Sequence, residues 1–180
     1  MSKVLVFMSS PRKQGNTDRL CDAFIKGVRK NYHEVEKIYV HYQHIQPCLG
    51  CRMCQHNQGQ CVQKDDMQDI YHKMDESDVI AFASPVYFYT WNASMKLLID
   101  RSFALEKYIH DKRFYLLSTG LAPDESYFQI MKDSFQKYVH CLRAGGNQFV
   151  DYVFACQTGS KDDIENTDAL KSAYELGKGI

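Results

Sequence analysis

Short apolar runs and helical stripes alternate along the chain in a regular order. Lys3 to Met8 is a compact apolar run that reads as a buried strand. From Thr17 onward, Leu20, Cys21, Phe24, Ile25 and Val28 recur at three- and four-residue spacing and predict an amphipathic helix. Val35 to His41 is rich in strand formers and reads as a second strand. Val79 to Ala83, ending at Ser84-Pro85, predicts a third, Phe114 to Leu117 a fourth and Phe149 to Cys156 a fifth. Four more helices fall between and after them. One opens near Lys64–Gln68, where Asp65 is expected to cap and Gln68 to complete a variant of the capping box. The next spans Asn92 to Phe103, with Met95, Leu98, Ile99 and Phe103 on one face. Tyr127 to Leu142 carries the stripe Phe128, Met131, Phe135, Tyr138 and Val139, and Gly145-Gly146 marks the turn after it. Ile164 to Leu176 closes the series.

Strands alternating with helices predict an α/β fold, a parallel sheet covered by helices on both faces. No repeat, low-complexity segment or linker interrupts the pattern, so a single domain is expected over residues 1–180. In such sheets a ligand sits at the carboxyl ends of the strands, near the point where strand order reverses. The loops after strands one, three and four are therefore the places to look for chemistry.

The first of these reads Ser9-Ser10-Pro11-Arg12-Lys13-Gln14-Gly15-Asn16-Thr17 and leads into a helix. Open N–H groups and the positive end of the helix dipole favour an anion there. Hydroxyls of Ser9, Ser10 and Thr17 can donate to phosphate oxygens, and Arg12 can add a charge-assisted bond. Ser, Asn and Thr also serve as ordinary helix caps. The loop is neither G-x-G-x-x-G nor a Walker A sequence, so a monophosphate fits it better than a dinucleotide. The second loop, Ser84 to Asn92, holds Tyr87, Phe88, Tyr89 and Trp91, which could wall a planar ring or form a dimer surface. The third, Ser118-Thr119-Gly120, is a small polar turn suited to close backbone approach.

Composition narrows the function classes. Lys plus Arg is 22 and Asp plus Glu is 22, a balance that argues against a generic nucleic-acid or acidic-membrane binder. No apolar run is long enough to span a bilayer, and the short apolar run of the first residues is not expected to act as a signal peptide. A cytoplasmic location is expected. Seven cysteines cannot all pair within one chain, so a reducing compartment would leave them free or metal-bound.

Taken in order, these loops resemble the NADPH-dependent FMN reductase family. The residues that carry the resemblance are Ser9 to Arg12 with Gly15-Asn16-Thr17, Ser84 to Tyr87, Lys96 with Asp100-Arg101, and the cysteine stretch through Asp65-Asp66-Met67. The resemblance implies a flavodoxin-like three-layer sandwich with a five-stranded parallel sheet in the order 2-1-3-4-5. It further implies that Ser9, Ser10, Arg12, Asn16 and Thr17 hold the FMN phosphate. Pro85, Val86, Tyr87 and Phe88 would lie along the flavin ring, and Thr119 with Gly120 would meet its pyrimidine edge. The implied reaction carries two electrons from NAD(P)H through FMN to a quinone, flavin or other small-molecule acceptor, in a homodimer or homotetramer. No side-chain acid or base is assigned. Lys96 and Asp100, four apart on one helix, are expected to form a structural ion pair.

Cys48, Cys51, Cys54 and Cys61 remain. The family's iron–sulfur flavoprotein branch has three cysteines at C-x-x-C-x-x-C spacing and a fourth a little later, and this sequence fits it. A [4Fe–4S] cluster, free thiols, zinc and a disulfide are all open from the sequence, with no metal assigned. Cys21, Cys141 and Cys156 lie in apolar patterns and are expected in the core. Rival functions are a flavodoxin-type carrier without its own substrate, an iron–sulfur flavoprotein and a thiol-based redox sensor.

Overall fold

A computed structural model describes residues 1–180. In chain order the main elements are β1 (Lys3–Met8), α1 (Asn16–Arg29), β2 (Glu34–Tyr39), a short α2 (Met53–His56), α3 (Met67–Glu76), β3 (Val79–Tyr87), β4 (Thr90–Trp91), α4 (Ala93–Arg101), β5 (Arg113–Thr119), α5 (Gln129–Cys141), β6 (Gln148–Ala155) and α6 (Ala169–Lys178). Five strands pair in parallel in the order β2-β1-β3-β5-β6, and β4 pairs antiparallel with the end of β3. Counting only the long strands, this is the expected order 2-1-3-4-5, so strand order reverses between β1 and β3.

Alternate residues of the central strands feed two cores. Val4, Val6, Met8, Ala81 and Ala83 face α1 and α6, while Leu5, Phe7, Ile80 and Phe82 face α3, α4 and α5. Small residues on the first face let its helices pack closely. A Cβ at Gly27 would lie 2.1 Å from the Tyr174 carbonyl oxygen, and one at Gly177 would lie 2.1 Å from that of Phe24. The second face is aromatic, with Phe82 touching Phe7, Trp91, Phe114 and Phe135.

Several local expectations are corrected. The helix expected to reach Phe103 ends at Arg101 and passes into a 3₁₀ turn over Ser102–Leu105, which leaves Phe103 exposed. Cys141, at the last position of α5, is exposed, and Cys156 is half-buried; only Cys21 of the three is in the core. Gln68 does not complete a capping box. Its amide donates to the carbonyls of Cys61 and Gln63 and pins the cysteine loop to α3.

The strand read as Val79–Ala83 continues to Tyr87 and turns into β4. The two residues at the turn, Phe88 and Tyr89, have φ of 49° and 68°, where Asn-Gly is the usual choice. Tyr89 stacks on Tyr127 at 6.0 Å, whereas Phe88 is 98% exposed. A bulky residue held at positive φ costs on the order of 1–3 kcal/mol. Phe88→Asn, which removes no packing, is expected to stabilise the fold by about 1 kcal/mol, seen as a higher urea midpoint.

Candidate functional site

The loop after β1 is fixed from outside so that its inner side stays open. The Ser9 N–H and Oγ both donate to the Ala83 carbonyl, at 2.9 and 3.3 Å, and Asn92 Nδ2 donates to the Ser9 carbonyl at 2.7 Å. Ser10 Oγ accepts from the Arg12 N–H, and the Gly15 N–H closes a turn onto the Arg12 carbonyl. Gly15 lets that turn close, because a Cβ there would lie 3.0 Å from Arg12 Cβ. The first helical bond of α1 runs from the Arg19 N–H to the Gly15 carbonyl, so the N–H groups of Asn16, Thr17 and Asp18 lie outside the helix ladder. Asp18 would oppose an anion there, but its carboxylate accepts from the Gln14 N–H and pairs with Lys37.

These groups border a cleft of about 240 Å³ at the carboxyl ends of β1, β3 and β5. Ser10, Arg12, Asn16 and Thr17 line it from the first loop. Pro85, Val86 and Tyr87 form a second side, and Thr119, Gly120 and Leu121 a third. Thr158 and Gly159, after β6, complete the wall. Thr17 Oγ1 and Thr119 Oγ1 share a hydrogen bond of 2.7 Å across the junction of α1 and β5. Ser9 lies buried behind the cleft, and Phe88 points to solvent; neither lines it.

The Thr158–Ser160 loop lies after the fifth long strand, beyond the loops after strands one, three and four where a ligand is expected. A Thr-Gly-Ser run after the fifth strand was the available signal. Its anchor is Asn16, whose Nδ2 donates to the carbonyls of Thr158 (3.3 Å) and Ser160 (2.7 Å) while Oδ1 accepts from the Ile164 N–H (3.4 Å). The Asn16 side chain thus ties two loops together, and its backbone N–H remains for a ligand. Asn16→Leu leaves these backbone groups unpaired. It is expected to cost about 2–4 kcal/mol of stability, checked by urea unfolding.

The cysteine loop forms a separate site. Gly50, Arg52, Gln58 and Gly59 all have positive φ, and this winding brings successive cysteines to one side. A cavity of about 290 Å³ is lined by Cys48, Cys51, Cys54 and Cys61, with Arg101 and Phe103 among its other walls. Cys48 and Cys51 are exposed, and Cys54 and Cys61 are half-buried. Burial raises the Cys54 thiol above its ordinary pKa, with smaller contributions from nearby Cys61 and Cys48. No group of three or more His, Cys, Asp or Glu side chains converges as a single metal ion requires. A [4Fe–4S] cluster takes one thiolate per iron, so its four sulfurs are spread around a cavity and do not converge on one point.

Arg101 connects this cavity to the fold. Its side chain is 1% exposed and pairs with Asp65, which is 2% exposed. Nη1 donates to Asp65 Oδ2 at 2.6 Å and Nη2 to Asp65 Oδ1 at 3.0 Å. Asp65 was expected to cap α3; the cap position falls instead to Asp66, which makes no side-chain cap bond, and Asp65 stands one residue before it with Oδ1 accepting from the Met67 N–H. Its pairing with Arg101 was not expected. Lys96 and Asp100 form the anticipated i, i+4 pair on the surface.

A doubly wound sheet with a donor-lined cleft at its switch point defines the flavodoxin-like class of α/β proteins. Within that class, residues 2–149 match the family model described as NADPH-dependent FMN reductase, and the chain belongs to this family. An iron–sulfur flavoprotein of Archaeoglobus fulgidus is 40% identical over 99 residues, 55% of this chain and 44% of that protein. The chain thus spans about half the length of the iron–sulfur flavoproteins it matches. YwqN of Bacillus subtilis is 27% identical over 187 residues, 98% of this chain and 97% of its own. The fold is similar to that of an NAD(P)H:quinone oxidoreductase from Methanothermobacter marburgensis, with a TM-score of 0.79 at 13% identity, covering 99% of this chain and 95% of that one.

Proposed function

We propose that the chain is an FMN-dependent oxidoreductase that takes electrons from NAD(P)H and passes them to a small-molecule acceptor such as a quinone or a free flavin. The observation that carries this reading is the donor set of the cleft. The Ser10 hydroxyl, the hydrogen-bonded pair Thr17–Thr119, the guanidinium of Arg12 and the open first-turn N–H groups of α1 border one space, and no carboxylate lines it; the Thr158 hydroxyl donates inward to the Gly120 and Ala155 carbonyls. That chemistry fits a phosphate monoester. Bound FMN supplies two-electron hydride chemistry. The chain's own residues bind and orient. Arg12 and the α1 terminus would hold the phosphate, Pro85 to Tyr87 would lie along the ring, and Thr119 with Gly120 would meet its polar edge. The pair Thr17–Thr119 fixes the two sides relative to each other.

In the test, protein saturated with FMN and desalted should keep the flavin absorbance and oxidise NADPH or NADH with a quinone at many turnovers. A colourless product, or flavin without nicotinamide oxidation, overturns the reading. The second result would instead favour a carrier. Free thiols and the family's soluble chemistry support a cytoplasmic setting, and the exposed Phe88 hairpin supports a homodimer or homotetramer, which sedimentation would measure.

A second reading is supported by the cavity that all four cysteines line and by the name of the relative that is 40% identical. Cys48, Cys51, Cys54 and Cys61 would hold the cluster, which supplies one-electron transfer beside the flavin.

A further inference from the structure

Arg101 is the largest fully buried side chain of the protein, yet one of its donors has no acceptor. A guanidinium offers five N–H groups. Nη1 donates to Asp65 and to the Gln46 carbonyl (2.8 Å), and Nη2 donates to Asp65 and to Cys61 Sγ (3.5 Å). Nε is buried and unpaired. Leaving a buried donor unpaired is unfavourable, and such a group in a native fold calls for a partner or a function. Arg101 also lines the cavity that all four thiols line. Asp65 in turn is held by the N–H groups of Gln46 and Met67, so the fork is aimed from a rigid support.

We propose that Arg101 is the residue that tunes the four-cysteine centre, donating hydrogen bonds to its sulfurs and raising its reduction potential, with Asp65 as the group that aims the guanidinium. The proposal rests on the cluster reading above. When the centre is reduced it takes up one electron, no covalent bond forms or breaks, and its net charge becomes more negative by one. Donors and a positive charge at the sulfurs stabilise that reduced form more than the oxidised one. A purely structural ion pair would hold the loop in place without this bias.

The test is anaerobic reconstitution with ferrous iron and sulfide, followed by a dithionite titration read by electron paramagnetic resonance. Arg101→Gln is expected to lower the reduced-to-oxidised ratio at a fixed potential about tenfold, equal to about 59 mV for a one-electron couple. Arg101→Lys keeps the charge but not the fork and should fall between. An unchanged potential in an iron-loaded Arg101→Gln protein overturns the role of Arg101 and leaves the cluster reading standing. A wild-type protein that takes up no iron overturns both. If Arg101→Gln does not fold, wild-type protein carrying heavy-nitrogen arginine decides. Pulsed resonance of its reduced centre shows a nitrogen coupling if the guanidinium is bonded to the sulfurs, and the absence of that coupling overturns the proposal.

Discussion

Replacing Asp65 with asparagine lowers the free energy of unfolding by about 3–5 kcal/mol, read as a fall in the urea midpoint at constant slope. The carboxylate accepts four hydrogen bonds, two from the Arg101 fork and one each from the Gln46 and Met67 N–H groups. Asparagine keeps the shape but turns one acceptor into a donor, and that donor faces another donor whichever way the amide is placed. It also leaves a guanidinium charge buried without its partner, which is the costly way to break an internal ion pair. The same pair gives an acid signature. Burial by itself would raise the Asp65 carboxyl. The Arg101 and backbone hydrogen bonds, together with the guanidinium charge, outweigh burial and hold it below the usual carboxylate range. A carboxyl lowered by folding contributes stability above its unfolded pKa, roughly 3.9, and loses that contribution as pH falls through the folded value. Wild-type stability should therefore fall below about pH 4, and Asp65→Asn should lack that part of the fall. Parallel acid limbs for the two proteins would show that the pair does not carry it.

The Asp65–Arg101 pair also marks the boundary of what local sequence could reveal. Strand runs and helical stripes depend on neighbours three or four residues away, so β1, β2, β5 and β6 and their order were legible. The loops after β1, β3 and β5 were legible as a site because the fold class itself places them together. Asp65 and Arg101 stand 36 residues apart; Asp65 has a local reading as a helix cap, and Arg101 lies late in a helix beside the Lys96–Asp100 pair. Nothing in either neighbourhood asks for a buried partner. The same limit hid the Thr158–Ser160 loop, which is tied beside the cleft by its bonds to Asn16 at the other end of the chain. Cys141 was misplaced for a different reason. The buried stripe of α5 runs through Met131, Phe135 and Val139 to Leu142, and Cys141, beside it in sequence, stands outside that stripe and faces solvent.

Charge reversal at Arg12 is expected to weaken FMN binding about 100-fold while leaving riboflavin binding within about twofold. Arg12 is exposed and forms no ion pair with another side chain, so Arg12→Glu should leave the urea midpoint within about 0.5 kcal/mol of wild type. Its effect on a ligand follows from position. Arg12 borders the cleft beside Ser10 and Thr17, where the first turn of α1 already favours negative charge. Removing a charge-assisted bond costs roughly 1.5–3 kcal/mol, about 10- to 150-fold in affinity, and a carboxylate in its place adds repulsion. Riboflavin has the ring without the phosphate, so it reports on Pro85 to Tyr87, Thr119 and Gly120 alone. The repulsive part should weaken with salt, because the site is open to solvent. Fluorescence titrations of both flavins at low and high ionic strength check this. Equal losses for FMN and riboflavin would place the phosphate somewhere other than the turn after β1, and the assignment of this cleft to the FMN phosphate would fall with it.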